Sequence, residues 1–132
     1  MVAMPKHMLI VDDDPSIREL ICAAFTTEDC VVDVAENGER CLSRMRAHRP
    51  DLILLDVQMP GEDGFQTLKK IRADETLRHV PVVMLTAKRS PGDVTRARSM
   101  AVVDYVAKPI NLMQLARRVE RALNASDDVW SV

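Results

Sequence analysis

Aromatic residues and cysteines are scarce in this chain, and no long hydrophobic run is present. The 132 residues include one Trp, one Tyr, two Phe and three Cys. The core must therefore be built from aliphatic side chains and methionine. The odd number of cysteines, none in a Cys-x-x-Cys spacing, argues against a disulfide framework or a thiolate metal site. The apolar runs fall far short of the roughly 20 residues that a membrane-spanning helix needs.

Charge and histidine placement exclude further classes of protein. The formal net charge is -2 at pH 7, so the chain has no overall attraction to nucleic acid or acidic lipid. The histidines, His7, His48 and His79, are scattered without zinc-ligand spacing, which predicts ordinary structural roles. The N-terminal apolar run stops in acidic residues rather than at a small-residue cleavage site. We therefore expect a cytoplasmic protein without a membrane or a direct nucleic-acid partner.

Apolar runs and helix-like periodicity alternate five times along the chain. Predicted strands lie at 8–11, 30–35, 51–56, 80–85 and 102–106, and a predicted helix follows each of them. Strands one, three and four are continuously apolar, which is typical of strands buried on both faces of a parallel sheet. The pattern predicts a single α/β domain, an open parallel sheet with helices on both faces.

Polar residues follow these strands at their carboxyl ends, where an open parallel sheet carries its functional crevice. They are Asp12, Asp13, Asp14, Asp56, Thr86 and Lys108. Taken singly, each has an ordinary explanation, because an Asp after a strand is most often a turn or cap residue. Asp14, which precedes Pro15, is placed to cap the first helix. The shared position of all six predicts a site.

A cluster of carboxylates is unstable without compensation. Two carboxylates about 4 Å apart repel by roughly 4 kcal/mol at an effective dielectric constant near 20. Two remedies are open: one carboxyl keeps its proton through a raised pKa, or the group binds a divalent cation. Carboxylates, a backbone carbonyl and water are ligands that suit Mg²⁺. An aspartate held at the end of a stiff strand is then a plausible nucleophile toward phosphorus.

The motifs LIVDDDPSIREL, DLILLDVQMPGEDGF, VPVVMLTAK and DYVAKP occur in this order along the chain. Through them residues 6–124 strongly resemble the receiver domain of two-component response regulators. The resemblance implies a (βα)5 flavodoxin-like fold with strand order 2-1-3-4-5, followed at 125–132 by a tail or linker stub. It implies a phosphorylation-activated signalling switch rather than an enzyme.

The resemblance also implies a role for each residue at the sheet edge. Asp56 is implied as the phosphoacceptor and Lys108 as the phosphate-binding lysine, before a cis Pro109. The implied Mg²⁺ ligands are Asp12, Asp13, Asp56 and the backbone carbonyl of Gln58, and the implied switch residues are Thr86 and Tyr105. The switch would pass the change to the face of helix four, strand five and helix five. The implied partners are a sensor histidine kinase or phosphotransfer protein and a downstream protein or fused output domain.

Some positions depart from the family pattern. Receiver domains commonly have Gly four residues before the switch aromatic, where this chain has Ala101. A left-handed C-cap disfavours Ala, so we expect helix four to end differently or to be unusually mobile. Asp104 and Arg118 fit one charged pair of a phosphorylation-dependent homodimer. Val103 and Gln114 stand where other acids are usual, which argues against that dimer.

Two alternative functions fit the sequence less well. A phosphatase of the haloacid dehalogenase type needs an acid two residues after its nucleophile, where this chain has Gln58. A docking module that is never phosphorylated would lack the acids, and all of them are present.

The region of helices four and five carries a group of basic residues, which form either a solvated face or a protein-binding surface. The group comprises Lys88, Arg89, Arg96, Arg98, Arg117, Arg118 and Arg121. Any affinity for DNA should be weak, about 10⁻⁴ M or worse.

Overall fold

The computed structural model describes residues 4–87 and 91–124, and strands and helices alternate through them. The strands are β1 (Lys6–Val11), β2 (Cys30–Ala35), β3 (Leu52–Asp56), β4 (Val82–Thr86) and β5 (Asp104–Ala107). The helices are α1 (Pro15–Phe25), α2 (Gly38–Ala47), α3 (Gly64–Ala73), α4 (Pro91–Ser99) and α5 (Leu112–Asn124). All strands pair in parallel in the order β2-β1-β3-β4-β5, which confirms the predicted fold.

The sheet is covered on both faces, as the continuously apolar strands predicted. Every residue of β3 and β4 is buried. One core cluster joins the sheet to α2 and α3 through side chains such as Met45 and Phe65. The other joins it to α1 and α5 through Ile21, Leu115 and Val119. Two apolar layers therefore hold the central strands in fixed positions, which makes the carboxyl edge a rigid support.

Asx residues start the helices beside that edge. The Oδ1 atom of Asp14 accepts a hydrogen bond of 2.9 Å from Ser16 N, and Oδ1 of Asp63 accepts one of 2.9 Å from Gln66 N. These carboxylates satisfy N–H groups that a helix leaves without partners at its first turn. The predicted cap role of Asp14 is therefore confirmed.

The strand boundaries differ from the predicted ones by one or two residues. β1 starts at Lys6, two residues before the predicted start at position 8, and β4 starts at Val82 rather than at position 80. Pro81 has no N–H for the ladder, although its carbonyl still accepts a 3.0 Å hydrogen bond from Ile53 N. β5 starts only at Asp104, because the Val102 N–H bonds back to Ala97 O and closes α4.

Helix α4 ends in a C-cap with a left-handed residue, which the sequence argued against. Ala101 adopts φ 58°, and Val102 N donates to Ala97 O at 3.2 Å, which is the long bond of a Schellman cap. An alanine in this region is strained by roughly 1–2 kcal/mol. Arg72 supports the cap, since its guanidinium donates to the carbonyls of Met100 at 2.9 Å and Ala101 at 3.2 Å. The expectation of a different helix end was wrong.

Asp104 and Arg118 form an ion pair within the chain. Arg118 Nη1 donates to Asp104 Oδ1 at 2.6 Å within the chain. The pair therefore links β5 to α5. The other carboxylate oxygen of Asp104 is buried, and no described residue bonds it.

Candidate functional site

Four neighbouring strands bring the predicted site residues to one edge of the sheet. Asp12 directly follows β1, and Asp56 is the last residue of β3. Thr86 ends β4, and Lys108 directly follows β5. The register places Asp56 beside Leu85 of β4, one residue before Thr86. Because these strands are adjacent and parallel, their carboxyl ends converge as predicted.

Lys108 bridges the two buried carboxylates. Its Nζ atom lies 2.8 Å from Asp12 Oδ2 and 3.4 Å from Asp56 Oδ1. The side chains of Asp12 and Asp56 are 0% and 3% exposed, whereas that of Lys108 is 20% exposed. Lys108 N donates to Thr86 O at 2.7 Å, and the Lys108-Pro109 peptide bond is cis, as the resemblance implied. The ammonium group thus closes one side of the acidic cluster.

Asp13 completes a group of three carboxylates. One oxygen from each of Asp12, Asp13 and Asp56 lies within 4.8 Å of the others. Asp13 is exposed, so the group opens to solvent on its side. Asp14 stands apart from the group, because its carboxylate caps α1. Three carboxylates face one lysine, which leaves an excess of two negative charges for a cation to offset.

The burial of this cluster shifts the acidity of its members. Burial, and then the charge of Asp12, raise the pKa of Asp56 to about 6, although Lys108 acts in the opposite direction. Burial disfavours the charge of Lys108, but its hydrogen bond to Asp12 and the charges of Asp12 and Asp56 outweigh this and raise its pKa. Lys108 is therefore charged at neutral pH, and the ionised form of Asp56 is held at a disadvantage until further positive charge arrives.

The loop after β3 fixes the direction of the Asp56 side chain. Gln58 N donates to Asp56 Oδ1 at 3.2 Å, and Gly64 N donates to Val57 O at 2.8 Å. A Cβ atom on Gly64 would overlap the carbonyl oxygen of Asp56 and lie 2.9 Å from Val57 Cα. Only glycine lets α3 start this close to the end of β3.

Thr86 and Tyr105 are both buried beside the cluster. Thr86 is 0% exposed and Tyr105 is 1% exposed. β4 and β5 pair so that Met84 lies beside Tyr105 and Thr86 beside Ala107. Tyr105 therefore packs inward. Both residues lie on strands that end at the site.

Arg18 is a supporting residue that the sequence did not single out. Its Nη1 atom donates to the backbone carbonyl of Asp12 at 2.8 Å. A second bond, from Asp14 N to Asp12 Oδ1 at 3.0 Å, holds the side chain of Asp12 from the same loop. The only sequence signal is position, because Arg18 lies in the first turns of the helix that starts directly after the acids.

The family model for the response regulator receiver domain matches residues 8–120. The chain is a response regulator receiver domain. It is thus a signalling module of two-component systems, and the acidic group of Asp12, Asp13 and Asp56 is consistent with the phosphoacceptor site of that family.

Known proteins that resemble this receiver domain differ in how much of their own chain lies outside the matched region. Over 128 residues it is 38% identical to the DNA-binding response regulator MtrA of Mycolicibacterium smegmatis, an alignment covering 97% of this chain and 55% of MtrA. Over 116 residues it is 39% identical to the response regulator PleD of Caulobacter vibrioides, covering 88% of this chain and 26% of PleD. The Vibrio cholerae chemotaxis protein CheY4 superposes with a TM-score of 0.84 at 29% identity, covering 91% of this chain and 99% of CheY4.

The chain therefore spans about half the length of MtrA and about a quarter of PleD. What those proteins do outside the matched region is a property of their own chains. None of the helices described here combines the length and apolar character that crossing a bilayer requires.

Proposed function

We propose that Asp56 accepts a phosphoryl group from a sensor histidine kinase or a phosphotransfer protein, in the cytoplasm. The observation that carries the proposal is the position of its carboxylate, at the end of a buried strand and 3.4 Å from Lys108 Nζ. An oxygen of Asp56 would form a bond to phosphorus while the bond from phosphorus to the donor's imidazole nitrogen breaks. The donor imidazole keeps the electron pair and takes up a proton. Lys108 would pair with a phosphoryl oxygen as negative charge is redistributed.

Mg²⁺ is the cofactor that fits this donor set. Asp12, Asp13 and Asp56 offer three carboxylates within 4.8 Å of one another, and we assign the backbone carbonyl of Gln58 as a fourth oxygen ligand. Hard oxygen ligands with room for water are typical of Mg²⁺ sites. When bound, the ion would offset charge on the phosphoryl oxygens. Burial, and then the charge of Asp12, raise the pKa of Asp56, which means that its ionised form is disfavoured. A bound cation would stabilise that ionised form.

Phosphoryl incorporation from acetyl phosphate tests the proposal. We expect the wild-type domain to incorporate phosphoryl groups in Mg²⁺ and to lose this in excess EDTA. Asp56→Asn should remove incorporation, while Asp51→Asn, which changes an exposed acid at the other end of β3, should not. Full incorporation in Asp56→Asn would contradict the assignment.

Asp13 should matter more for metal binding than Asp14, although the two are adjacent. Asp13 shares the carboxylate group and Asp14 caps α1. We expect Asp13→Asn to weaken Mg²⁺ binding at least tenfold, or about 1.4 kcal/mol. Asp14→Asn should leave binding unchanged, because Asn caps helices about as well as Asp. Metal titrations followed by NMR measure both, and equal losses would show that the assignment is wrong.

We assign Thr86 and Tyr105 as the switch that reports phosphorylation, and Thr86→Ala tests the assignment. Moving a two-state equilibrium from 1:99 to 99:1 requires about 5.5 kcal/mol, and one charge-assisted hydrogen bond supplies roughly 1.5–3 kcal/mol. Thr86 must therefore act together with Lys108 and the cation. We expect Thr86→Ala to accept phosphate normally while the chemical-shift changes around Tyr105 shrink by at least half. Unchanged shifts would contradict the coupling.

The recipient of the signal is, on this proposal, a protein surface or a fused output domain that meets the face of α4, β5 and α5. Two arginines of the predicted basic group are already engaged within the chain: Arg118 with Asp104, and Arg96 over the Phe65 ring at 4.3 Å. Arg117 and Arg121 are exposed, whereas Lys88 and Arg89 lie outside the described residues. MtrA is a DNA-binding regulator, but this chain covers only 55% of it. We assign DNA binding to no part of this chain.

A further inference from the structure

The opposite end of the sheet carries a second cluster of metal-ligating side chains. It consists of His7 in β1, Asp33 in β2 and His48 at the C-cap of α2, and one ligand atom from each lies within 4.8 Å of the others. His7 is five residues before Asp12 along β1, which separates the two clusters by about 16 Å at the rise of a strand. The cluster is therefore independent of the phosphoacceptor site.

His7 is the buried member, and its hydrogen bonding is incomplete. The residue is 5% exposed, and its Nε2 lies 2.7 Å from Asp33 Oδ2. The other ring nitrogen, Nδ1, is buried, and no described residue bonds it. With the described residues the ring therefore makes one hydrogen bond, at Nε2, and that bond points into the cluster. Nε2 and Asp33 Oδ2 face each other directly, so an ion held by both would take the place of this hydrogen bond.

His48 is the exposed member, and its side chain lies at the end of α2. Its ring stacks on that of His7, with centroids 4.0 Å apart and an angle of 15° between the planes. Near-parallel rings cannot direct their lone pairs at one ion, since each nitrogen must lie in plane with it at about 2.0–2.1 Å. Binding of one ion by both rings would therefore require the exposed His48 ring to turn out of the stack.

We infer that His7, Asp33 and His48 form a second metal site, for a divalent transition ion of the Zn²⁺ class. Two imidazoles and one carboxylate with water in the fourth position are a ligand set that suits Zn²⁺ and is poor for Mg²⁺. In a tetrahedral site with bonds of about 2.1 Å the ligand atoms lie about 3.4 Å apart. The present spacing of up to 4.8 Å needs only a side-chain adjustment. The ion would join β1, β2 and the end of α2.

A Zn²⁺ titration in saturating Mg²⁺ tests the inference, with three variants that differ in one side chain each. His48→Gln and Asp33→Asn change ligands whose side chains reach solvent, so that folding is preserved. His79→Gln is the matched control, because His79 is exposed and lies outside the cluster. Circular dichroism verifies the fold of each variant, and imidazole ¹⁵N chemical shifts report which rings bind the ion.

We expect Zn²⁺ to bind wild type and His79→Gln equally, to shift the ¹⁵N signals of His7 and His48, and to raise the melting temperature by several degrees. His48→Gln should weaken this binding at least tenfold and lose the rise in melting temperature, and Asp33→Asn should weaken it in the same direction. Equal affinity in His48→Gln and His79→Gln, or Zn²⁺ binding without a shift at His7 and His48, would overturn the inference.

Discussion

Gly64→Ala should destabilise the receiver domain by about 3 kcal/mol, at the upper end of what added atoms cost in a packed interior. The new methyl group would overlap the Asp56 carbonyl oxygen and lie 2.9 Å from Val57 Cα, both of them backbone atoms of the strand end that carries the site. Backbone cannot rotate away as a flexible side chain can. The strand end, or the start of α3, must therefore move.

The same change should reduce phosphoryl incorporation on the order of 100-fold, because a displacement of about 1 Å at reacting groups has effects of that size. Gly92→Ala is the control. Gly92 also lies in the first turn of a helix, but an added Cβ there has no neighbour within 4 Å. Its replacement should raise stability by up to about 1 kcal/mol through helix propensity. Denaturant unfolding and acetyl phosphate labelling measure both variants, and similar behaviour of the two would contradict the role of Gly64.

Asp56→Asn should make the metal-free domain more stable at neutral pH. Burial, and then the charge of Asp12, raise the pKa of Asp56 from 3.8 to about 6 in the folded state. The folded wild type therefore holds its proton more tightly than the unfolded chain. The contribution of this carboxyl group to stability is fully present below pH 4 and is lost as the pH rises through 6. Asparagine carries no charge and escapes this loss, which amounts to about 3 kcal/mol for a shift of roughly two pKa units.

Guanidinium unfolding in EDTA at pH 4 and pH 7.5 measures the effect. The stabilisation by Asp56→Asn should be present at pH 7.5 and absent at pH 4. Mg²⁺ should reduce the difference in unfolding free energy between variant and wild type, because it stabilises the wild type. Asp14→Asn is the matched control. The hydrogen bonds from Ser16 lower the pKa of Asp14, so this exchange should bring no gain at pH 7.5. A gain of equal size at both pH values would contradict the account of Asp56.

Much of the phosphoacceptor site could be predicted because it depends on strand ends. Continuous apolar runs gave the strands, and residues directly after parallel strands must share an edge. The sequence therefore predicts one shared edge for Asp12, Asp56, Thr86 and Lys108, and the structure confirms it. The roles of Asp13 and Asp14 could be distinguished because Pro15 directly follows Asp14 and marks the start of α1.

Contacts that depend on packing between distant segments could not be predicted. His7 and His48 are 41 positions apart, and their ring stack exists only because α2 ends over β1. The scattered spacing of the histidines predicted ordinary structural roles and did not indicate this ring contact. Ala101 was expected to avoid the left-handed region, but Arg72, 29 positions earlier, bonds its carbonyl. Such cases need the three-dimensional arrangement, because no local propensity encodes them.

Mapping the acyl phosphate tests the central claim most directly. The domain would be treated with acetyl phosphate and Mg²⁺, reduced with borohydride to trap the aspartyl phosphate, and digested for mass spectrometry. The account predicts one modified residue, Asp56, and no modification when EDTA replaces Mg²⁺. Modification of Asp12 or Asp13 with Asp56 untouched, or equal labelling of Asp56 in EDTA, would contradict it.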